Sequence, residues 1–419
     1  MQMVSKKLFS NSTAKAFILS HVLSCPFWGI FNILPILLCK ELHASPFQIT
    51  TVIALKPLSA LFSAYWSSAV FGKKEHLVKN LFWACLLKFS PFLLIPFFSN
   101  PWFLIICFGL HMCLLRGIIP SWMELLKLHL PPSSRGKVCA AGSTVNYLGN
   151  ALFPFLFGFL LDHFVVAWKW LFPATSLLAM CSLWFIHRMS SLVSISPLAS
   201  PSEQKKIKDH LYKPWKTARQ IITRRPDFFR FQIGFFLGGA GLMTIHAALP
   251  NYFVDILNLS YTKICLAICF CKGIGFAFSS PIWVKVLNRF NIFSFCARVP
   301  LFAACFPILL ILAQFNLFFV FIAYFCYGVM QGGSELGWKM SGPTFAQEDD
   351  SSPYSSINVL AVGIRGGIFP YFGAFLLLYG GLYIVLAIGG LFCLAGSFYL
   401  WHAGANYSKA QHAPELLKE

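Results

Sequence analysis

Residues 16–39 read AFILSHVLSCPFWGIFNILPILLC, a run without a single Asp, Glu, Lys or Arg. The hydrocarbon core of a bilayer is crossed by about 20 apolar residues of helix, so this stretch is long enough to span it. Lys6, Lys7 and Lys15 precede it in the manner of a secretory leader. The run nevertheless exceeds the roughly 7–15 apolar residues of a leader, and no small-residue cleavage pattern follows. It reads as a first membrane span.

Working outward, comparable runs follow at 46–71, 80–98, 102–126, 138–161 and 170–187, and a second set at 228–254, 262–284, 292–313, 317–341, 356–378 and 382–402. The expected fold is an all-α integral membrane protein with twelve transmembrane helices. Composition agrees, because 57% hydrophobic and 11% charged residues over 419 positions exceed what a soluble core could hide. A net charge of +19 would suggest nucleic acid in a soluble chain. Here the bases gather between the apolar runs, while the expected outer loops hold Lys40, Lys169 and Lys263. That asymmetry reports orientation, with both termini cytoplasmic, and no nucleic-acid partner is expected. Short loops and a Lys- and Phe-rich composition point to a bacterial inner (plasma) membrane.

The hydrophilic stretch 188–227 divides the spans into bundles at 16–187 and 228–402, flanked by a cytoplasmic N-terminus (1–15) and tail (403–419). Ser194, Ser196, Pro197, Ser200, Pro201 and Ser202 give the stretch a flexible start. Lys205 to Ile222 then reads as a basic helix at the anionic leaflet, serving as orientation signal and tether. The 14 Cys lie almost wholly in apolar runs without metal or redox spacing. Even Cys265, Cys269 and Cys271 read as packing residues, so neither metal nor cofactor is expected.

The two bundles share a pattern. At an offset of 216 residues, Trp122 falls on Trp338, Phe153-Pro154 on Phe369-Pro370 and Phe159-Leu160-Leu161 on Phe375-Leu376-Leu377. Lys56 falls on Lys272 at the same offset, whereas Leu42, Ser45 and Ile49 match Leu257, Ser260 and Ile264 at 215. A duplicated six-helix unit follows.

The turn PPSSRG at 131–136, together with Gly149, Pro154 and Gly158 in the fifth span, resembles the major facilitator superfamily. The resemblance covers essentially the whole chain. It implies two pseudo-symmetric six-helix bundles, a pathway lined by spans one, four, seven and ten, and solute transport by alternating access. The family's loop between spans two and three survives only as Gly72-Lys73-Lys74, the expected gating loop. Tyr65, Ala69 and Val70 stand where a glycine, an acid and a base are usual, so the loop departs from the family pattern.

Charges inside a bilayer are costly and mark function. The embedded bases are Lys56, Lys88, Arg116, Lys272, Arg298, Lys339 and Arg365, against Glu335 as the clearest embedded acid. At 1.5 Å per residue, Lys56 and Lys272 lie roughly 15 Å from the outer ends of their spans. Lys56, Lys272, Arg116 and Arg365 are candidate substrate-binding residues, because guanidinium and ammonium groups hold carboxylates and phosphates. The competing reading gives each lysine a helix C-terminal dipole or a polar packing neighbour.

His21, Asn32, His111, His246, Asn251 and Gln331 lie on spans that the resemblance assigns to the pathway. Of these, His111, His246 and Gln331 join the binding candidates. Glu335 is a candidate proton-coupling carboxylate, with a local ion pair to Lys339 as its alternative. Glu348, Asp349 and Asp350 form an acidic loop, either solvated or closing a gate against the basic segments.

The excess of bases over acids favours a small anionic solute. HExxH, GxSxG and P-loop motifs are all lacking, so the expectation is a secondary transporter, not an enzyme, working as a monomer in the lipid bilayer. A non-transporting sensor or scaffold, or an embedded enzyme on the same fold, is the alternative.

Overall fold

The structure is a computed structural model describing residues 11–70, 77–164, 166–190, 207–347 and 351–416. The proposed gating loop Gly72, Lys73 and Lys74, the serine-rich start of the linker and the acids at 348–350 lie outside the described residues.

In chain order the helices are α1 (Ser12–Lys40), α2 (Pro46–Val70), α3 (Leu77–Phe89), α4 (Pro101–His129), α5 (Pro132–His163), α6 (Ala167–Met180), α7 (Ser182–Ser190) and α8 (Ile207–Arg224). They are followed by α9 (Pro226–His246), α10 (Leu249–Asn251), α11 (Tyr261–Cys265), α12 (Lys272–Arg289), α13 (Ile292–Leu312), α14 (Phe318–Ala346) and α15 (Ser352–Leu416). A 3₁₀ turn at Ser90–Leu94 extends α3. The π-helical segments Tyr252–Ile256 and Leu266–Cys271 continue α10 and join α11 to α12. The described residues contain no strand.

Helix starts follow local chemistry. Asn11 accepts from the N–H groups of Thr13 (2.9 Å) and Ala14 (3.2 Å), and Asn100 and Asn291 cap α4 and α13 in the same way. Pro101, Pro132 and Pro226 occupy first-turn positions, where a missing N–H costs nothing. Arg135 of the PPSSRG turn donates to the carbonyls of Leu130 and Lys127, both at 2.9 Å, and so satisfies the end of α4.

Nine helices among the described residues are long and apolar enough to cross a membrane. Local causes account for the distance from twelve expected spans. The helix α15 runs through two of them, breaking only at Gly381, whose φ of 76° suits a residue without Cβ. In α2 the apolar described part is Pro46–Phe62. Although α14 has 29 residues, Gln331, Glu335 and Lys339 dilute its apolar character. Large side chains such as Phe97, Phe315 and Phe398 are at least 77% exposed, as suits helices whose outer solvent is hydrocarbon.

The chain forms two compact units. The first contains Met1–Ala44, Ser59–Leu211 and Ser260–Cys265, the second Ser45–Leu58, Tyr212–Leu259 and Leu266–Glu419. The front of α2 thus packs with the second unit, and α11 with the first.

Within the first unit, Phe17, Ile18, Leu81, Cys85, Ile118, Trp122, Leu125 and Ile186 form one buried cluster. Close approach of backbones matters here. A methyl group on Gly149 would lie 2.6 Å from Cys25, and one on Gly158 would meet the Tyr261 carbonyl at 3.0 Å. The glycines of α5 are therefore seats for α1 and α11. Beside Gly158, the Asp162 carboxylate accepts from the backbone N–H groups of Tyr261 (2.7 Å) and Thr262 (2.9 Å), capping α11 from another helix. The Tyr261 hydroxyl donates to Glu41 at 2.9 Å, and Lys40 Nζ stands 4.4 Å from the Tyr261 ring centre.

In the second unit, α9 and α15 meet through glycines. A methyl group on Gly241 would lie 2.2 Å from the Gly389 carbonyl oxygen. Phe228, Phe231, Phe293 and Phe345 fill the core beside them.

Removing the Asp162 cap is expected to cost about 0.5–2 kcal/mol. Asp162→Ala should therefore lower the thermal midpoint of the detergent-solubilised protein while Asp162→Asn retains most of it. Equal midpoints for wild type and Asp162→Ala would show that the cap contributes nothing.

Candidate functional site

Arg365 lies thirteen residues into α15, about 20 Å from its start at 1.5 Å per residue. Its side chain is 8% exposed, and Nη1 donates to the Phe235 carbonyl at 3.0 Å. The guanidinium stands 6.0 Å from the Phe235 ring centre, and Nε is buried without a hydrogen-bond partner in the protein. Space for it comes from Gly239, where a methyl group would lie 1.9 Å from Nη1. One backbone acceptor uses a single donor of a group that carries five. Keeping a cation in a bilayer costs about 2.5–3.5 kcal/mol on insertion scales.

Arg365 faces a cavity of about 150 Å³ inside the second unit. Tyr327, Gln331 and Ser334 give it hydroxyl and amide groups, and Leu242, Met243, Val299 and Met330 give it apolar wall. The spacing 327, 331, 334 places the three polar residues on one face of α14. An arginine, two hydroxyls and an amide over an apolar floor suit a small solute with an anionic group.

Tyr327 also adjoins the other candidates of this unit. Its ring centre is 5.7 Å from that of His246 and 5.9 Å from Lys272 Nζ. The chain reaches this position because Gly328 admits the Lys272 backbone: a methyl group there would meet the Lys272 carbonyl oxygen at 2.0 Å. Pro57, next to Lys56, packs against Gly366, next to Arg365, while Leu58 packs against Gly367. The Tyr371 hydroxyl donates to Thr51 Oγ1 at 3.2 Å, holding the front of α2 against α15. Proline and leucine side chains thus take the space that the missing Cβ atoms of Gly366 and Gly367 leave.

Neither lysine ends its helix, since α2 continues to Val70 and α12 to Arg289. Neutralising a C-terminal dipole therefore explains neither of them. Lys56, Lys272, His246, Gln331 and Arg365 thus lie in one unit, with Lys272 and His246 beside Tyr327. Tyr327, Ser334 and Gly239 were not singled out from sequence, although the i, i+4 relation of Tyr327 to Gln331 was a usable signal.

His111 and Arg116 belong to the first unit. His111 is fully buried among Phe27, Phe31, Phe89 and Phe92, and its Nδ1 lies 3.0 Å from the Lys88 carbonyl oxygen. Arg116 Nε is buried without a hydrogen-bond partner. Glu335 pairs with Lys339 at 2.6 Å, one turn along α14, with side chains 29% and 57% exposed. Among the described residues no three His, Cys, Asp or Glu side chains converge as a metal site.

Known proteins share this architecture. A peptide transporter, POT, solved as a mutant with alafosfalin, superposes with a TM-score of 0.71 at 12% identity, over 94% of this chain and 95% of the other. A mutant of the nucleoside transporter NupG gives 0.67 at 11% identity, over 94% and 99%. A bacterial homologue of the human lysosomal transporter Spinster gives 0.62 at 14%, over 94% and 95%. Identities this low establish the fold alone. Among curated proteins none matches the chain in sequence. The sequence profile of the Major Facilitator Superfamily matches residues 16–353. With that match over most of its length, and an all-helical membrane fold shared with transporters of this type, the chain belongs to the major facilitator superfamily.

Proposed function

We propose that this chain is a secondary transporter that carries a small anionic solute by alternating access and binds its anionic group at Arg365. The observation that carries the reading is the buried guanidinium at the cavity wall, fixed by one backbone carbonyl and by the notch at Gly239. Arginine stays charged at any working pH and presents paired donors to a carboxylate or phosphoryl group. Gln331, Tyr327 and Ser334 complete the polar side. The structural neighbours include peptide and nucleoside transporters, which supports a small solute as the cargo. Arg116 and His111 of the first unit are proposed as further substrate-binding residues. The basic loops support an orientation with both ends cytoplasmic, and a bacterial inner membrane and a monomeric state complete the proposal.

Uptake of labelled organic anions into proteoliposomes tests this directly. A hydrogen bond to a charged group is worth about 1.5–3 kcal/mol, so Arg365→Gln should lower apparent affinity roughly ten- to a hundredfold. Gly239→Ala should give a similar loss at an unchanged thermal midpoint, because the atoms nearest the new methyl group all belong to the Arg365 guanidinium. Gly241→Ala, whose new methyl group meets the Gly389 backbone, should instead lower the midpoint. Wild-type affinity in Arg365→Gln would remove the guanidinium from the site, and an absence of any uptake would favour a non-transporting role.

The same vesicles test Glu335. Its pairing with Lys339 is local and partly exposed, so Glu335→Gln is expected to leave the pH profile of uptake unchanged. Loss of pH dependence in that variant would return Glu335 to proton coupling.

A further inference from the structure

The walls of the Arg365 cavity are sorted by helix, and the sorting bears on the body of the solute as distinct from its charge. The polar side chains Tyr327, Gln331 and Ser334 come from α14, and Arg365 comes from α15. The lining side chains of α9 are Phe235, Leu242 and Met243, and those of α13 are Val299, Pro300 and Ala303 together with Cys296. Among these described residues of α9 and α13 only Cys296 carries a polar atom. Its sulfur sits against Gly337 of α14, where a methyl group would lie 2.6 Å from it.

Backbone groups on the apolar walls are engaged as well. The Phe235 carbonyl accepts from Arg365 at 3.0 Å, and the Gly238 carbonyl accepts from the Cys393 thiol at 3.4 Å. Pro300 has no N–H to offer. Two close approaches limit how far the cavity extends. A methyl group on Gly238 would meet Pro300 at 3.0 Å, so α9 lies against α13, and one on Gly333 would meet Val299 at 2.7 Å, so α13 lies against α14. The space left between them is about 150 Å³, and an apolar cavity of about that volume takes up one benzene molecule.

We infer that the solute is amphipathic, with an anionic head held by Arg365 and a compact apolar body of about six carbon atoms lying against α9 and α13. The inference rests on the anionic reading of this cavity and adds the class of solute, an aliphatic or aromatic carboxylate in place of a sugar phosphate or nucleotide. Burial of each methylene group raises affinity roughly fourfold. A hydroxyl buried against Leu242 or Val299 gives up its water without finding a partner, which lowers affinity about fivefold or more. A polyol body meets that loss several times over, and an apolar body does not meet it. Met243 and Met330 suit such a body further, since an unbranched thioether adapts to what it covers and packs well on aromatic edges.

The test measures binding of matched probes to the full-length, detergent-solubilised protein at neutral pH by thermal shift. From acetate through propionate, butyrate and valerate to hexanoate, affinity is expected to rise roughly fourfold per methylene group and to level off once the body outgrows the cavity. Valerate and 4-hydroxybutyrate differ only in a terminal methyl group against a hydroxyl, and valerate is expected to bind about fivefold or more tightly. Met243→Gln, which keeps the length of a half-buried side chain and adds an amide, should bring that ratio down towards one. Val299→Thr, of nearly the same volume, should do the same. Transfer of the longer acids into detergent is equal for every variant, so a changed ratio reports the cavity. Arg365→Gln should weaken every carboxylate and leave the increment per methylene group in place.

Tighter binding of benzoate than of cyclohexanecarboxylate, or the reverse, identifies the aromatic or the aliphatic form. Equal binding of valerate and 4-hydroxybutyrate, or a flat affinity along the series, with Arg365→Gln still harmful, would overturn the amphipathic inference and leave the anionic reading standing. Binding of 1-pentanol as tight as that of valerate, with Arg365→Gln harmless, would overturn the anionic reading and the inference with it.

Discussion

A peptide group in hydrocarbon has no water to turn to, and leaving one unpaired costs several kcal/mol. Among the described residues, the membrane-spanning segments answer that constraint by closing their own helical ladders. Side chains then do the joining between helices. Trp283 donates to the Val329 carbonyl at 2.7 Å, Ser397 to the Ala297 carbonyl at 2.6 Å, and the Tyr252 hydroxyl to the Leu310 carbonyl. The same constraint governs charge. Arg225 with Asp227 and Lys339 with Glu335 are settled within the protein. Arg365 is settled in part, by one carbonyl and an aromatic face. That partial settlement is what makes Arg365, and not the completed pairs, the candidate binding group.

Much of the fold was legible because lipid as solvent demands long apolar runs, and such runs are hard to hide. The apolar run that becomes α1, the PPSSRG entry of α5 and the glycines of α5 all sit where the sequence placed them. What the sequence did not disclose is where compact packing divides. The hydrophilic stretch 188–227 separates two sets of spans in the chain, yet Ser45–Leu58 packs with the second unit and Ser260–Cys265 with the first. Hydropathy cannot report this, because it depends on single contacts such as Gly366 with Pro57 and Gly158 with Tyr261.

The site was legible to the extent that it is built from charge. Lys56, Lys272 and Arg365 stood out because an ion is conspicuous in an apolar run, and Gln331 because an amide is. Tyr327, Ser334 and Gly239 did not, since tyrosine, serine and glycine are ordinary in membrane helices and acquire a role only through what faces them. Gly239 matters because Arg365 occupies the space its missing Cβ leaves. The Glu335 and Lys339 pair shows the opposite case, in which a conspicuous charge is accounted for by its neighbour one turn away.

The repeat carries one further piece of structural information. The residues that open spans two and eight match at an offset of 215, from Leu42 with Leu257 to Ile49 with Ile264, but Lys56 and Lys272 match at 216. The second half therefore holds one residue more than the first over this stretch, between positions 264 and 272. The helix is π-helical over Leu266–Cys271, inside that interval. A π turn is the form in which an α-helix absorbs one extra residue without turning everything beyond it by about 100°. The widened turn thus keeps Lys272 in the register of Lys56 and sets it against α14 beside Tyr327. An insertion that a straight helix would have converted into a lysine facing elsewhere has been held locally, directly before the residue whose direction it would have changed.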